Sequence, residues 1–223
     1  MKIWIVIPAY NEAKSLEGVL RNLKEKNLSI IVIDDGSKDQ TYSVAKEKAD
    51  IVIRNEKNLG KGMSLRRALA YLLENEKFDY IITMDGDGQH SPSDIDKFIK
   101  EAQNKENFVV GNRMDNPRVM PKTRIITNKI MSWLISKMVS QSIPDTQCGF
   151  RLINRDVLEK IKFRTNKFEV ESEILIKAAK EGVTIKSIPI KSIYFRRIKS
   201  KIHPFVDTIR FIRFLFTVND KDK

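Results

Sequence analysis

Residues 81–90, Ile-Ile-Thr-Met-Asp-Gly-Asp-Gly-Gln-His, place a short apolar strand directly before a polar, glycine-rich turn. Side chains two residues apart point the same way on an extended backbone, so Asp85, Asp87 and Gln89 can converge. Oxygen ligands of this kind suit Mg²⁺ or Mn²⁺, which keeps several waters and binds one or two carboxylates together with substrate phosphates. We therefore predict a divalent-metal site at these three residues.

Three other interpretations of this turn are weaker. The turn could simply cap the helix that follows, for which residues 91–94 supply a typical start. A calcium loop of the EF-hand type would need glycine at its sixth position, where His90 stands. A phosphatase of the haloacid dehalogenase type also has Asp-x-Asp-Gly after a strand, but it usually has threonine where Gln89 stands here.

The flanking sequence alternates short apolar runs with helical patterns, which is typical of βαβ units. Strands are predicted at 2–7, 29–33, 51–54, 79–84, 108–111, 148–154 and 184–190, and helices at 12–26, 39–48, 62–73, from 91, at 121–140, 170–181 and from 204. This order predicts one α/β domain with a mostly parallel central sheet.

Two further turns lie at predicted strand ends. Asp35 follows the second strand, where a carboxylate can accept hydrogen bonds from a ribose or a base. Residues 58–62 fail as a P-loop, because Asn55 stands at the first glycine position and Gly62 replaces the required Ser or Thr. A diphosphate beside this turn, at the N-terminus of a helix, remains an open interpretation.

The net charge of +12, from 41 Lys and Arg against 29 Asp and Glu, indicates an anionic partner. Residues 113–140 carry six basic residues and one acidic residue, and residues 186–213 carry eight and one. Both stretches include amphipathic helical patterns that suit an anionic membrane surface, although such helices more often pack on a core. We predict that residues 203–223 form a membrane-associating segment. No aromatic stacking platform for nucleic acid is evident.

Cellular location follows from segments that the sequence lacks. No apolar run approaches the ~18 residues needed to span a bilayer, and the N-terminal stretch has no small-residue cleavage site. The single cysteine, Cys148, excludes an internal disulfide and a cysteine-based zinc site. We expect a cytoplasmic protein, peripherally associated with the cytoplasmic membrane face, with Cys148 buried and inert.

Six short motifs follow one another along the chain, at residues 6–12, 33–39, 58–62, 84–90, 111–113 and 145–151. In this order they resemble the family 2 glycosyltransferases, in particular the polyprenyl-phosphate hexose synthases. The resemblance implies a glycosyltransferase-A fold, a single αβα sandwich. It also implies a catalytic domain at 1–202, with a nucleotide-sugar-binding half at 1–112 and an acceptor-binding half at 113–202.

By this resemblance, the protein transfers a hexose, with inversion, from a nucleotide-diphosphate sugar to a polyprenyl (dolichyl) phosphate. Asp85, Asp87 and Gln89 would bind Mg²⁺ or Mn²⁺. The substrate-binding residues would be Pro8, Ala9, Tyr10, Asn11, Glu12, Ile33, Asp35, Gly60, Lys61, Gly86, Arg113, Arg124, Arg151 and Lys201. We expect Asp87 and Arg113 to be the least replaceable, one for the metal and one for the acceptor phosphate.

Two alternatives stay open. A family 2 enzyme that glycosylates a hydroxyl would need a general base, for which Asp145, Glu169 and Glu171 are candidates. A non-catalytic basic module that binds a membrane or nucleic acid is the other alternative, and the intact Asp85 and Asp87 argue against it. The sugar, the nucleotide and the oligomeric state stay open.

Overall fold

The structure is a computed structural model that describes residues 1–117, 120–161, 170–191 and 193. The strands are β1 (Ile3–Ala9), β2 (Ser29–Asp34), β3 (Ile51–Arg54), β4 (Tyr80–Thr83), β5 (Phe108–Asn112), β6 (Arg151–Asn154) and β7 (Ile185–Pro189). The helices are α1 (Ala13–Lys24), α2 (Thr41–Lys48), α3 (Lys61–Asn75), α4 (Ile95–Gln103), α5 (Lys122–Val139), α6 (Arg155–Lys160) and α7 (Val170–Lys180). A single 3₁₀ turn, Pro92–Asp94, precedes α4.

All seven strands form one sheet in the order β3-β2-β1-β4-β6-β5-β7. β6 runs antiparallel to both of its neighbours, and every other pair is parallel. The predicted mostly parallel α/β sheet is therefore confirmed. Because β6 is reversed, its N-terminal end lies at the edge of the sheet where the other six strands end. Ligands of open α/β sheets bind at this edge, so the loops that meet there are the candidates for a site.

The strands are continuous apolar runs in the sequence because both faces of the sheet are buried. Parallel strands covered by helices on both faces bury every side chain rather than alternate ones, and residues 5–7 and 30–33 are wholly buried. The predicted helix 12–26 corresponds to α1, which packs on this core through one apolar face, with Leu16, Val19, Leu20 and Leu23 buried. Among the described residues, no helix is both long and apolar enough to cross a membrane.

The elements differ from the predicted ones in two places. α6 was not predicted, because six residues are too few for a helical period to show; Asn154 starts it by accepting a 2.7 Å hydrogen bond from the Asp156 N–H. The predicted strand 148–154 begins only at Arg151, since the residues before it form the turn that reaches the site. The predicted helix from 204 and the membrane segment 203–223 lie outside the described residues.

Candidate active site

The loops that follow β1 and β2 are tied to each other. The Asp35 N–H donates to the Ala9 carbonyl at 2.9 Å, which extends the pairing of the two strands. Beyond that point the Asn11 N–H donates to Ser37 Oγ at 2.9 Å, and Asn11 Oδ1 accepts from the Lys38 N–H at 2.8 Å. Asn11 adopts a left-handed backbone, φ 55°, which asparagine tolerates better than most residues. These contacts fix the backbone where the sequence predicts a nucleoside.

Other predicted substrate-binding residues lie in the loop after β1 or pack against it, with one exception. Gly86 packs on the end of β1, where a Cβ atom would lie 3.3 Å from Ala9 Cβ and 3.4 Å from the Pro8 carbonyl oxygen. The Glu12 N–H donates to Thr41 Oγ1 at 2.8 Å, and Tyr10 is half-buried. The exception is Ile33, which is wholly buried inside β2, so the structure does not place its side chain in the site.

Asp35 holds the loop after β3. Its carboxylate accepts hydrogen bonds from Asn55 Nδ2 at 2.7 Å and from the N–H groups of Leu59 and Gly60 at 2.9 Å each. Gly60 has φ 94°, a conformation that favours glycine, and it leads directly into α3. The predicted ribose ligand is therefore engaged in fixing the turn that starts α3, a role that the sequence position alone did not reveal.

Lys61, the first residue of α3, bridges two carboxylates. Its Nζ lies 2.5 Å from Asp85 Oδ1 and 2.7 Å from Glu171 Oε1. Burial lowers the pKa of Lys61, but the two carboxylates outweigh burial and hold that pKa above its ordinary value. Gly149 packs directly on this cluster, since a Cβ atom there would lie 2.6 Å from Glu171 Oε1 and 2.9 Å from Lys61 Nζ.

The pKa values of the two carboxylates after β4 are shifted in opposite directions. Burial raises the pKa of Asp85, but Lys61 outweighs burial and holds it well below the usual range. Burial, and then the charge of Asp85, raise the pKa of Asp87 to about 6, although Asp87 Oδ1 accepts a 2.9 Å hydrogen bond from the Gln89 N–H. The two carboxylates are thus close enough to repel each other, and a cation would relieve that repulsion.

His90 supports this turn from inside. It is 2% exposed, stacks on Phe150 with ring centroids 5.1 Å apart, and its Nδ1 accepts from the Asp85 N–H at 3.3 Å. Burial lowers the pKa of His90 to about 4, and the smaller attraction of Asp85 does not offset it. His90 is therefore neutral at pH 7 and acts as a structural residue.

The donor set fits a divalent cation that also binds a diphosphate. Within residues 1–117, 120–161, 170–191 and 193, no three His, Cys, Asp or Glu side chains form a closed metal cage. Mg²⁺ and Mn²⁺ bound to phosphates typically need only one or two protein carboxylates. Asp85 and Asp87 supply that number, and Gln89 is half-buried beside them.

Arg113 follows β5 and forms a buried pair with Asp145. The Asp145 carboxylate accepts from Arg113 Nε at 2.8 Å, from Nη2 at 2.9 Å and from the Arg113 N–H at 3.0 Å. Arg113 is 6% exposed, yet it is near enough to Asp85 to lower the pKa of that carboxyl. This arginine is held rigidly beside the carboxylates rather than on an open surface.

Arg151 lies in the interior and not on a substrate-facing surface. It is 1% exposed, and its guanidinium donates to the carbonyls of Cys148 and Thr146 at 2.8 Å each and to the Glu171 carbonyl. Its predicted role as a substrate ligand does not fit these contacts, because they bind the chain to itself. Cys148 is buried as expected, and burial raises the pKa of its thiol to about 12.

The remaining predicted residues are in α5 or beyond. Arg124 lies half-buried in the first turn of α5, and Lys201 lies outside the described residues. Sequence reasoning missed the link between Lys61 and Glu171, which are 110 positions apart. It also missed the close packing of Gly149 on this pair, although Gly149 belongs to one of the stretches that resemble the family.

Comparison with known proteins identifies the family. The model of "Glycosyl transferase family 2" matches residues 4–162. The UDP-N-acetylglucosamine–dolichyl-phosphate N-acetylglucosaminyltransferase of Methanococcus voltae is 35% identical over 216 residues, covering 86% of each chain. The dolichyl-phosphate beta-glucosyltransferase of Saccharomyces cerevisiae is 31% identical over 221 residues, covering 83% of this chain and 65% of that one.

Solved structures agree on the fold. Mannosyl-3-phosphoglycerate synthase from Rubrobacter xylanophilus superimposes with a TM-score of 0.73 at 19% identity, covering 100% of this chain and 74% of that one. Glucosyl-3-phosphoglycerate synthase from Mycobacterium tuberculosis, in complex with Mn²⁺, UDP and phosphoglyceric acid, gives 0.74 at 19% identity, covering 97% and 78%. The expected glycosyltransferase-A fold is confirmed, and the chain belongs to glycosyl transferase family 2.

Proposed function

We propose that this protein transfers a hexose from a nucleotide-diphosphate sugar to a polyprenyl phosphate, such as dolichyl phosphate, at the cytoplasmic membrane face. The observation that carries the proposal is the pair Asp85 and Asp87 at the sheet edge where the loops of six strands meet. The relatives named for dolichyl-phosphate transfer support the acceptor.

On the donor side, Asp85, Asp87 and Gln89 would hold the divalent cation. When bound, that cation neutralises the charge that develops on the departing diphosphate. The tied loops after β1 and β2, residues 8–12 and 34–38, would hold the nucleoside against a rigid backbone. A site held in place before the substrate arrives spends less binding energy on ordering itself.

On the acceptor side, the state of the candidate bases favours a phosphate over a hydroxyl. A hydroxyl acceptor needs a general base, but two of the three candidates are in ion pairs, Asp145 with Arg113 and Glu171 with Lys61. The third candidate, Glu169, lies outside the described residues. A phosphate monoester, with a second pKa of about 6, is already a charged nucleophile at pH 7. Its in-line attack on the anomeric carbon would expel the nucleoside diphosphate and invert that carbon.

Arg113 and Arg124 are the arginines that we propose for the acceptor phosphate. Arginine suits phosphate because its planar fork can donate two parallel hydrogen bonds. Asp145 fixes the orientation of Arg113 through three hydrogen bonds, so that its contribution would be alignment. Arg113→Lys keeps the charge but loses the fork, and we expect at least a tenfold drop in kcat/KM for the phosphate acceptor, or about 1.4 kcal/mol.

Helix α5 supports the membrane part of the proposal. Ile126, Ile130 and Trp133 are 59%, 51% and 60% exposed, and their spacing of four and three residues puts them on one face. Three exposed lysines accompany this face, at positions 122, 129 and 137. An exposed apolar stripe flanked by lysines matches an anionic bilayer surface.

Tryptophan fluorescence tests this membrane contact. The chain has two tryptophans, and Trp4 is buried in the core, so a blue shift on adding anionic vesicles would report Trp133. Ile130→Ser should weaken vesicle binding, whereas Tyr71→Ser, which removes an exposed aromatic on α3, should not. Equal loss in both variants would contradict docking through α5.

A transfer assay tests the reaction. Purified protein with Mn²⁺ is offered UDP-N-acetylglucosamine, UDP-glucose or GDP-mannose, and either polyprenyl phosphate or a hydroxyl acceptor. We expect transfer to the lipid phosphate from one donor, loss of transfer in Asp87→Asn, and wild-type transfer in Asp96→Asn, an exposed acidic residue on α4. Transfer to hydroxyl acceptors alone would refute the proposal.

A further inference from the structure

The Lys61 ammonium competes directly for the carboxylate that the metal needs. It lies 2.5 Å from Asp85 Oδ1, and the side chain is only 19% exposed, so water screens its charge weakly. A dication bound through Asp85 would share that carboxylate with a positive charge a few ångströms away. The repulsion has to be reduced before the metal site reaches full affinity.

Glu171 is placed to reduce it. Its Oε1 lies 2.7 Å from the same Nζ, and it comes from the first turn of α7, in the opposite half of the chain. Lys61 therefore contacts two carboxylates at once, and a small movement of its flexible side chain would bring the ammonium closer to one and away from the other. A shift of the ammonium toward Glu171 frees Asp85 without leaving a buried charge unpaired.

The surroundings hold the three groups together. Gly149 leaves room for the three charged groups, because a Cβ atom at this position would lie 3.0 Å or less from side-chain atoms of Lys61, Glu171 and Asp85. The Gly149 carbonyl accepts a 2.7 Å hydrogen bond from Thr83 Oγ1 on β4. The Glu171 carbonyl is fixed by Arg151. The cluster is thus built from β4, α3, α7 and the turn before β6.

We propose that Lys61 is a positioning residue that competes with the divalent cation for Asp85, and that Glu171 sets the metal affinity by drawing Lys61 away. The inference rests on the metal site of the proposed function. It also makes metal affinity depend on the place of α7, and so couples the metal site to the acceptor-binding half of the chain.

Mn²⁺ titration of the protein alone, followed by the paramagnetic resonance signal of free Mn²⁺, tests this without any transfer reaction. Lys61→Met should tighten Mn²⁺ binding about tenfold, because one nearby positive charge is removed. Glu171→Gln should weaken it by a similar factor, because Lys61 is then left to Asp85 alone. A merely structural role would weaken binding in both variants.

The double variant distinguishes two ways in which Glu171 could change Mn²⁺ affinity: by drawing Lys61 away from Asp85, or by attracting the cation directly with its own charge. If Glu171 acts through Lys61, adding Glu171→Gln to Lys61→Met should change the affinity less than twofold; an unreduced effect would overturn the inference. Lys186→Met and Glu101→Gln are matched controls, since Lys186 also bridges two carboxylates, Glu101 and Glu106, away from the site. Neither should alter Mn²⁺ binding.

The outcomes also separate this inference from the proposed function. If the wild type binds Mn²⁺ with UDP but Lys61→Met binds it no more tightly, the competition is refuted and the metal site stands. If neither protein binds Mn²⁺, with or without UDP, although both melt cooperatively, the metal site itself is refuted and the inference falls with it.

Discussion

Replacement of Arg151 distinguishes a residue that holds the site together from one that binds substrate. Its guanidinium donates to three backbone carbonyls, two of them in the turn before β6 and one at the start of α7. Each hydrogen bond from a charged donor contributes about 1.5–3 kcal/mol, partly offset by the burial of the charge. We expect Arg151→Met to lower the free energy of unfolding by about 3–5 kcal/mol, because three buried carbonyls lose their donor at about 1–3 kcal/mol each.

Urea denaturation measures this loss. With a slope of about 2–3 kcal/mol per molar for a domain of this size, the midpoint should fall by about 1–2.5 M urea. Arg151→Lys keeps the charge but cannot reach three carbonyls, so it should lie between Arg151→Met and the wild type. Arg21→Met, an exposed arginine on α1, should change stability by no more than about 0.5 kcal/mol.

The competing explanation gives the opposite pattern. If Arg151 bound substrate, Arg151→Met would raise KM and leave the urea midpoint unchanged. That result would refute the structural argument and restore the role that the sequence first suggested.

Three further predictions follow from single residues. The pKa of His90 is about 4 in the folded protein and 6.5 in the free side chain, so on acidification the unfolded chain takes up a proton at a higher pH than the folded protein does. The free energy of unfolding should therefore fall by up to about 3 kcal/mol between pH 6.5 and pH 4. His90→Asn should flatten that part of the stability profile in urea titrations, and an unchanged slope would contradict it. Gly149→Ala should leave the fold intact but weaken Mn²⁺ binding, because the new methyl group displaces the ends of charged side chains. The control is Gly18→Ala, in open space on α1, which should raise the melting temperature slightly without changing Mn²⁺ binding. Asp35→Asn should lower the free energy of unfolding by about 1–3 kcal/mol and speed hydrogen exchange at the Leu59 amide. Unaltered exchange would show that the loop after β3 keeps its structure without the Asp35 carboxylate.

The sequence predicted those features that depend on local pattern. Continuous apolar runs indicated strands buried on both faces, and the polar turns after them indicated a site at one edge of the sheet. Asp85 and Asp87 were predicted as site residues in this way, because a strand and the turn that follows it are neighbours in the chain. The glycosyltransferase-A fold came from the resemblance of six short stretches.

Features that depend on distant partners were not predicted. Nothing near Arg113 or Arg151 in the sequence reveals that one pairs with a carboxylate and the other with backbone carbonyls. A charged side chain has the same local pattern whether it binds substrate or holds the chain together. For the same reason the sequence does not reveal that the Asp35 carboxylate fixes the loop after β3, and its contact with a ribose stays a prediction.

The reversed strand β6 also constrains the order in which the protein can be assembled. β6 pairs Thr83 with Arg151 and Val109 with Leu152, so the middle of the sheet closes only after residue 154 has left the ribosome. Until then one edge of β4 presents unpaired backbone groups, which favours aggregation, and pairing across some seventy residues slows folding. The strand β4, although it ends at residue 83, therefore acquires its second pairing partner only from residues 151–154, in the later part of the chain.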